Sequence, residues 1–414
     1  MTIRTARAAR RAASGPIARA LGAALAFGAG TALCQDFEDQ VGVAIGDARL
    51  YPSLRVDYLV DSNVGLRDED EVEGESTVVS PRLDFVAERR QLRFEAGYRG
   101  VFSASDDAAL EFGDHRLAAV LAADFDSRRR GSAQLVLARG HETLGTDLTR
   151  GLGDAFDEPL EYNEVGLGAR FVYGAENARG NLIVGLDVET RNYTNLEDVT
   201  AGRDFVEAEP YGAFGYRVSA DTRAIAELRF SSAAFDDDDD DRDEVSVLGG
   251  VDFTATGKLR GGFRLGASRA SFAQEGADDQ TELVARADVD WLPREYAVIG
   301  LELDRRFDNT VATRTGEDQS VRTRARLGWD HQWSDRFSTD AFVQLDDERR
   351  ACPQRATTTG SLGAEFDLSV RRWLEIGASV SQASRTADDC PGDTGRDDLD
   401  YDVTRYGVHV RATL

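Results

Sequence analysis

The chain has 414 residues, a formal net charge of −26, 41% hydrophobic residues, and 40 glycines against 8 prolines and 1 methionine. Such an acidic chain repels nucleic acid and anionic surfaces as a whole, and no segment approaches about 18 consecutive apolar residues, which excludes a membrane-crossing helix. Aromatic and β-branched residues spread along the whole length argue against disorder, and so many glycines beside so few methionines fit badly with a helical enzyme.

Residues 1–34 differ in composition from all that follows. Arg4, Arg7, Arg10, Arg11 and Arg19 occur without an acidic residue, and 21–33 is apolar and small. This reads as a secretory signal peptide, too short to span a bilayer. Ala32 and Cys34 are small at the positions a signal peptidase reads, whereas Leu33 is bulky where a lipoprotein signal carries Gly or Ala. Removing the segment takes away five arginines and moves the net charge from −26 to −31.

Residues 35–50 are expected to form a short periplasmic N-terminal segment, and 51–414 a single outer-membrane barrel. Leu54, Val56, Tyr58 and Val60 alternate with Arg55, Asp57 and Asp61, the two-residue period of a strand with one apolar and one polar face. A polar connection over 67–75 leads to a second strand with Val79, Pro81, Leu83 and Phe85 on one face, and only residues 89–91 separate it from a third. The rhythm of long and short connections then persists. Long ones fall at 103–114, 143–161, 194–203, 233–243, 273–280, 308–319, 349–357 and 385–400; short ones at 126–131, 174–179, 218–222, 255–258, 293–296, 334–336 and 371–373. Nine long and eight short connections separate about 18 strands of roughly ten residues, the length that a tilted strand needs to cross a bilayer. Soluble β domains have strands of about five or six residues and no strict alternation of loop length. The expected fold is therefore all-β, an antiparallel up-and-down transmembrane β-barrel with short periplasmic turns and long extracellular loops, placed in the outer membrane of a Gram-negative bacterium. Phe125, Tyr173, Trp291, Trp333 and Trp373 lie near short turns, as an aromatic girdle would.

The last strand alternates to the final residue. Tyr406, Val410, Ala412 and Leu414 share one face, and with Gly407 they resemble the terminal signal read by the outer-membrane assembly machinery, although such barrels usually end in an aromatic residue. This strand is expected to pair with the first and remove the sheet's edges.

On this reading the inward face carries unlike charges in quantity. Arg322, Arg324 and Arg326 form a row suited to acidic groups, and Arg286, Asp288, Arg260, Arg264, Asp187 and Arg191 are further solute-path candidates; Arg139 is assigned to the same face. The same residues also suit cross-strand ion pairing that holds the wall in shape. Asp236, Asp238 and Asp240 lie in an acidic loop that could gather Ca²⁺ but lacks the spaced ligands and glycine of a Ca²⁺ loop, so a solvated, self-repelling extracellular loop is expected. Cys352 and Cys390, each followed by Pro in a polar loop, are expected to pair in an oxidising compartment. His115, His141, His331 and His409 show no metal spacing, and no nucleophile elbow, phosphate loop or dinucleotide fingerprint is present. Neither catalysis nor a cofactor or metal is expected.

Pro52-Ser53-Leu54 followed by Tyr58 and Asp61-Ser62-Asn63, then Val79-Ser80-Pro81, and later Glu158-Pro159 with Tyr162-Asn163, resemble the outer-membrane β-barrel porins of the beta-barrel porin 2 type, found with exopolysaccharide export systems. The resemblance covers about residues 51–414. It implies an 18-stranded barrel that serves as the outer-membrane exit for a polysaccharide, beside a periplasmic polysaccharide export protein and an inner-membrane polymerase or transporter. Lipid and lipopolysaccharide would surround it. General diffusion of small polar solutes and a structural or adhesive role are the alternatives.

Overall fold

The computed structural model describes residues 42–149, 155–237, 240–273, 278–308, 320–350, 355–387 and 399–414. Residues 1–34, expected to form a signal peptide, lie outside them, as do Asp238, Cys352 and Cys390. The described strands are β1 (Val43–Ile45), β2 (Ala48–Asp61), β3 (Gly74–Arg89), β4 (Leu92–Ser105), β5 (Phe112–Asp124), β6 (Arg129–Glu142), β7 (Leu160–Tyr173), β8 (Gly180–Tyr193), β9 (Phe205–Arg217), β10 (Thr222–Phe235), β11 (Arg242–Thr256), β12 (Leu259–Phe272), β13 (Gln280–Arg294), β14 (Ala297–Asp308), β15 (Ser320–Gln332), β16 (Phe337–Arg350), β17 (Arg355–Arg371), β18 (Leu374–Ala387) and β19 (Tyr401–Thr413). One helical turn, α1 (Glu197–Thr200), and 3-10 turns at Ala108–Leu110 and Asp147–Thr149 lie in the long connections.

Every strand from β2 onward pairs antiparallel with the next, and β19 pairs with β2, so eighteen strands close on themselves. At the seam Val408 stands opposite Tyr58, Val410 opposite Val56 and Ala412 opposite Leu54. The apolar residues of both strands thus stay on one face across the closure, which a one-residue slip would destroy. Where β19 ends, the arm β1 takes over: Val43 pairs with Leu50 and Ile45 with Ala48, while Gly42 donates its N–H to the Leu414 carbonyl at 3.3 Å. Gly42 and Gly46 hold this arm with φ of +59° and +61°. The arm covers backbone groups of β2 that the closing strand is too short to reach.

The outer face is an apolar band. Leu54, Val56, Leu117, Leu167, Val184, Leu186, Leu265, Leu301, Leu327, Val343 and Val408 are all exposed. In water such a surface would drive association; against lipid it is the stabilising contact. Phe125, Tyr173, Tyr216, Trp291, Tyr296, Trp333 and Trp373 are exposed beside the short turns, where amphipathic rings meet the headgroup layer. The turn before β6 is built by Asp126, whose Oδ1 accepts the N–H groups of Arg128 and Arg129 at 2.8 Å each while Arg129 Nε reaches Oδ2 at 2.7 Å.

The eighteen strands of the closed wall, β2 to β19, are longer than the roughly ten residues expected, from 12 in β14 to 17 in β17. The excess continues the pairing beyond the apolar band. Arg139 lies on the lipid side, in step with Leu137 along β6, rather than on the inward face; its Nη2 meets Glu161 at 2.7 Å. An outward ion pair of this kind belongs above the hydrocarbon, where both partners keep water.

Candidate functional site

Alternation that puts apolar residues outside puts charge inside, and the lumen wall is a lattice of ion pairs. On β2, Arg55 bridges Asp57 at 2.8 Å and Glu365 of β17 at 2.8 Å. Arg82 meets Asp84 at 2.5 Å, Arg264 meets Asp252 at 2.7 Å, Arg405 meets Asp61 at 2.6 Å, and Arg411 meets Glu375 at 3.0 Å. Arg229 joins Glu209 and Glu227. Pairs of this kind, half-buried against strands and open to the lumen on one side, are each worth about 1 kcal/mol or less, so their sum shapes the wall more than any one stabilises it.

The arginine row occupies β15. Arg322 and Arg324 both donate Nε to one oxygen, Asp346 Oδ1, at 3.0 and 2.9 Å. Gln344 Nε2 donates to the other, Oδ2, at 2.6 Å, and Gln344 Oε1 accepts from Arg326 Nη1 at 3.2 Å. Arg326 also lies 4.1 Å from the centre of the Phe342 ring. β15 and β16 thereby hold the three guanidiniums in one connected array. The other solute-path candidates are dispersed. Arg260 pairs with Asp290 at 3.2 Å and Arg286 with Asp304 at 3.5 Å. Asp288 stands opposite Gly262 and Glu302 in register. Asp187 is buried beside Gly168, with its Oδ2 lacking a hydrogen-bond partner.

Arg191 belongs to a second array on β6–β8, of which sequence reasoning placed Arg191 and Glu164 on the inward face without joining them. It contacts Glu142 at 3.4 Å, Glu164 at 3.3 Å and Glu189 at 3.5 Å, and lies over the Tyr162 ring at 4.3 Å. Tyr193 donates its hydroxyl to Glu142 at 2.8 Å. Glu142 ends β6, and the connection that follows turns inward. There Leu144 and Thr149 are fully buried, Arg385 Nη1 on β18 donates to the Gly145 carbonyl at 3.5 Å, and Gly145 sits against Gly65 of the β2–β3 connection. Counted around the wall, β6 and β18 are six intervals apart in eighteen, so residues 143–149 span a chord of the extracellular mouth. Gly145 has φ +78°, and a Cβ there would collide with the Gly65 carbonyl oxygen, so only glycine seats this connection. Asn63, also fully buried, ties the β2–β3 connection to the wall through Nδ2, which donates to the carbonyls of Arg67 and Asp402 at 2.7 and 2.9 Å.

The acidic loop departs from the expectation of a solvated run. Asp240 pairs with Arg203 of the β8–β9 connection at 2.5 Å, and Asp241 Oδ1 accepts the Phe235 N–H at 2.7 Å. A cation from a neighbouring loop, invisible in the local sequence, neutralises part of the self-repulsion. His409 is likewise not isolated: Nε2 lies 2.8 Å from Asp367 and 3.8 Å from Glu365, while Arg55 approaches Nδ1 at 3.2 Å. Among the described residues, Glu365, Asp367 and His409 are the one group with metal-ligating proximity, and Arg55 already occupies its carboxylate side. Chain separations of 42 and 354 residues explain why spacing could not reveal it.

The family model described as "Putative beta-barrel porin 2" matches residues 37–413. The chain belongs to this family. It is an outer-membrane-type β-barrel porin, a channel whose wall is the lattice just described. No curated protein matches the porin. Among solved structures, OpdK of Pseudomonas aeruginosa is similar at 10% identity over 88% of this chain and 99% of that one, with a TM-score of 0.46. OccK2 (OpdF) of Pseudomonas aeruginosa, solved in complex with glucuronate, is 14% identical over 89% and 98%, with a TM-score of 0.45. The siderophore receptor PirA of Acinetobacter baumannii is 8% identical over 88% and 80%, with a TM-score of 0.43. At these values the similarities carry no argument about a solute.

Proposed function

We propose that this porin, placed in the outer membrane of a Gram-negative bacterium after loss of residues 1–34, passes a hydrophilic polymer, an exopolysaccharide, outward without chemistry. The observation that supports this reading is the mouth: residues 143–149 cross it and are held by Arg385 and Gly65. A connection seated across the exit suits a channel that opens for a dedicated cargo better than one open to every small solute. A wall of many distributed donors and acceptors offers a sugar chain numerous weak contacts and no deep well. Movement would be driven from the inner membrane, through a periplasmic export protein, with the assembly machinery inserting the barrel through its terminal strand.

A clean deletion is expected to trap polymer in the periplasm, and normal surface polymer in that strain would overturn the export role. Single-channel recording separates the general diffusion alternative: the wild type is expected to conduct little, whereas a steadily open, ion-conducting pore would favour small-solute diffusion. An adhesive role would instead appear as lost adhesion with intact secretion on shortening the extracellular connections.

A further inference from the structure

Resting on the export reading, we infer that Arg324 and Arg326 form an anion-recognition site on the lumen wall that takes the carboxylate of an acidic saccharide, a uronate unit of the transported chain. The two residues are i and i+2 on β15, on the same inward face, about 7 Å apart along the strand. Arg324 is held through Nε, which donates to Asp346 Oδ1 at 2.9 Å, and its side chain is 43% exposed, which leaves donor capacity on the guanidinium for a solute. Arg326 is fixed by Gln344 through Nη1 and by the Phe342 face beneath it. A guanidinium that lies over an aromatic ring keeps its in-plane donors for a ligand at the edge.

Asp346 and Gln344 complete the argument. Asp346 is shared by three donors, Arg322, Arg324 and Gln344, so its single negative charge is divided between two guanidiniums. The guanidiniums are thus oriented before any ligand arrives, which lowers the entropic cost of binding. A carboxylate accepts two parallel N–H bonds from such a fork, a stronger and more directional contact than a sugar hydroxyl makes. The opposing groups lie on β14: Glu302, exposed and opposite Arg326 in register, and Asp304, opposite Arg324 and engaged by Arg286 at 3.5 Å and Arg306 at 3.3 Å; both repel an anion, and Glu302, which has the greater exposure, should weaken the site more.

The test is equilibrium binding of a labelled oligogalacturonate and a neutral malto-oligosaccharide of equal length to the purified, detergent-solubilised full barrel. Wild type is expected to prefer the uronate by about tenfold or more, with the preference falling as salt rises. The Arg324→Gln, Arg326→Gln double variant is expected to abolish the preference, and Glu302→Gln to increase it several-fold. Arg324→Lys with Arg326→Lys keeps the charge without the fork and is expected to retain only a small part of the preference. Arg129→Gln, which removes an arginine at the short turn leading into β6 that pairs with Asp126 away from the lumen wall, should leave it unchanged. Equal affinity of wild type for both probes overturns the site. So does undiminished preference in the double variant, or, should that variant fail to fold, no response to Glu302→Gln. The two readings fail separately: a deletion strain that traps a neutral polymer, with no uronate preference in the barrel, leaves export standing and removes the site. Uronate preference in a barrel whose deletion leaves secretion normal does the reverse.

Discussion

Two stretches of the inner wall balance charge in opposite ways. On β15 and β16 one carboxylate, Asp346, serves two guanidiniums, Arg322 and Arg324. On β6–β8 one guanidinium, Arg191, serves three carboxylates, Glu142, Glu164 and Glu189. The distances are alike, yet the surplus differs in sign and in wetness. Arg324 remains 43% exposed, with donor capacity facing the lumen, whereas the acidic array is packed, its side chains between 7% and 15% exposed and Glu142 Oε2 without a partner. Surplus donors in contact with water are available to a passing solute. Acceptors packed away from water beneath the 143–149 connection are closed to such a solute.

The strongest way to break the comparison is Arg191→Gln. It removes the cation shared by three nearly buried carboxylates, with Glu164 keeping Arg116 at 3.4 Å, and a loss of about 3 kcal/mol is expected, read as a lower urea midpoint of the refolded barrel. An unchanged midpoint would mean that the acidic array does not depend on Arg191. Next is Gly145→Ala, which forces a left-handed φ on a side chain and drives a Cβ into Gly65. The connection should leave its seat at a local cost of about 1–2 kcal/mol, and single-channel conductance should rise; conductance identical to wild type would show that 143–149 does not limit the pore.

Asp346→Asn tests the other wall and should cost less, about 1 kcal/mol or below, because Arg324 is well solvated. Its sharper readout is ion selectivity: the pore should shift toward anions in a salt gradient, and no shift in reversal potential would deny that this array faces the conducting path. The smallest effect is expected at Asp126→Asn, in a turn remote from both arrays. The Arg129 side chain first, and then the Arg128 and Arg129 N–H groups, hold the Asp126 carboxyl below the usual carboxylate range. Its contribution is therefore present above that range and lost as pH falls through the lowered folded value. Wild type and variant should converge in stability in acid and differ slightly at neutral pH; a difference that grows in acid would reverse the sign.

The lipid-facing residues were legible because they depend only on local period: Leu54, Val56 and Tyr58 need nothing but alternation to identify their face. Arg139 shows where that rule stops. Alternation assigns a residue to a face once register is known, but it does not say where along the strand the membrane ends, and the ion pair with Glu161 lies beyond that limit. The arginine row was visible as a row, since Arg322, Arg324 and Arg326 are consecutive on one face. Its organisation was not, because Asp346 and Gln344 come from the next strand and their register with β15 follows from the whole sheet.

By itself the sequence determined the strand count, the alternation of long and short connections, the apolar belt and the closure of the last strand on the first. Each is written in periodicities of a few residues and in the spacing of turns. Only the tertiary structure decided which charges meet and what covers the mouth. Arg191 gathers its carboxylates from three strands, Arg55 meets Glu365 from 310 positions away, and Gly145 meets Arg385 from 240. Contacts at such separation follow from closing the barrel, which fixes every strand's neighbours and every connection's reach at once.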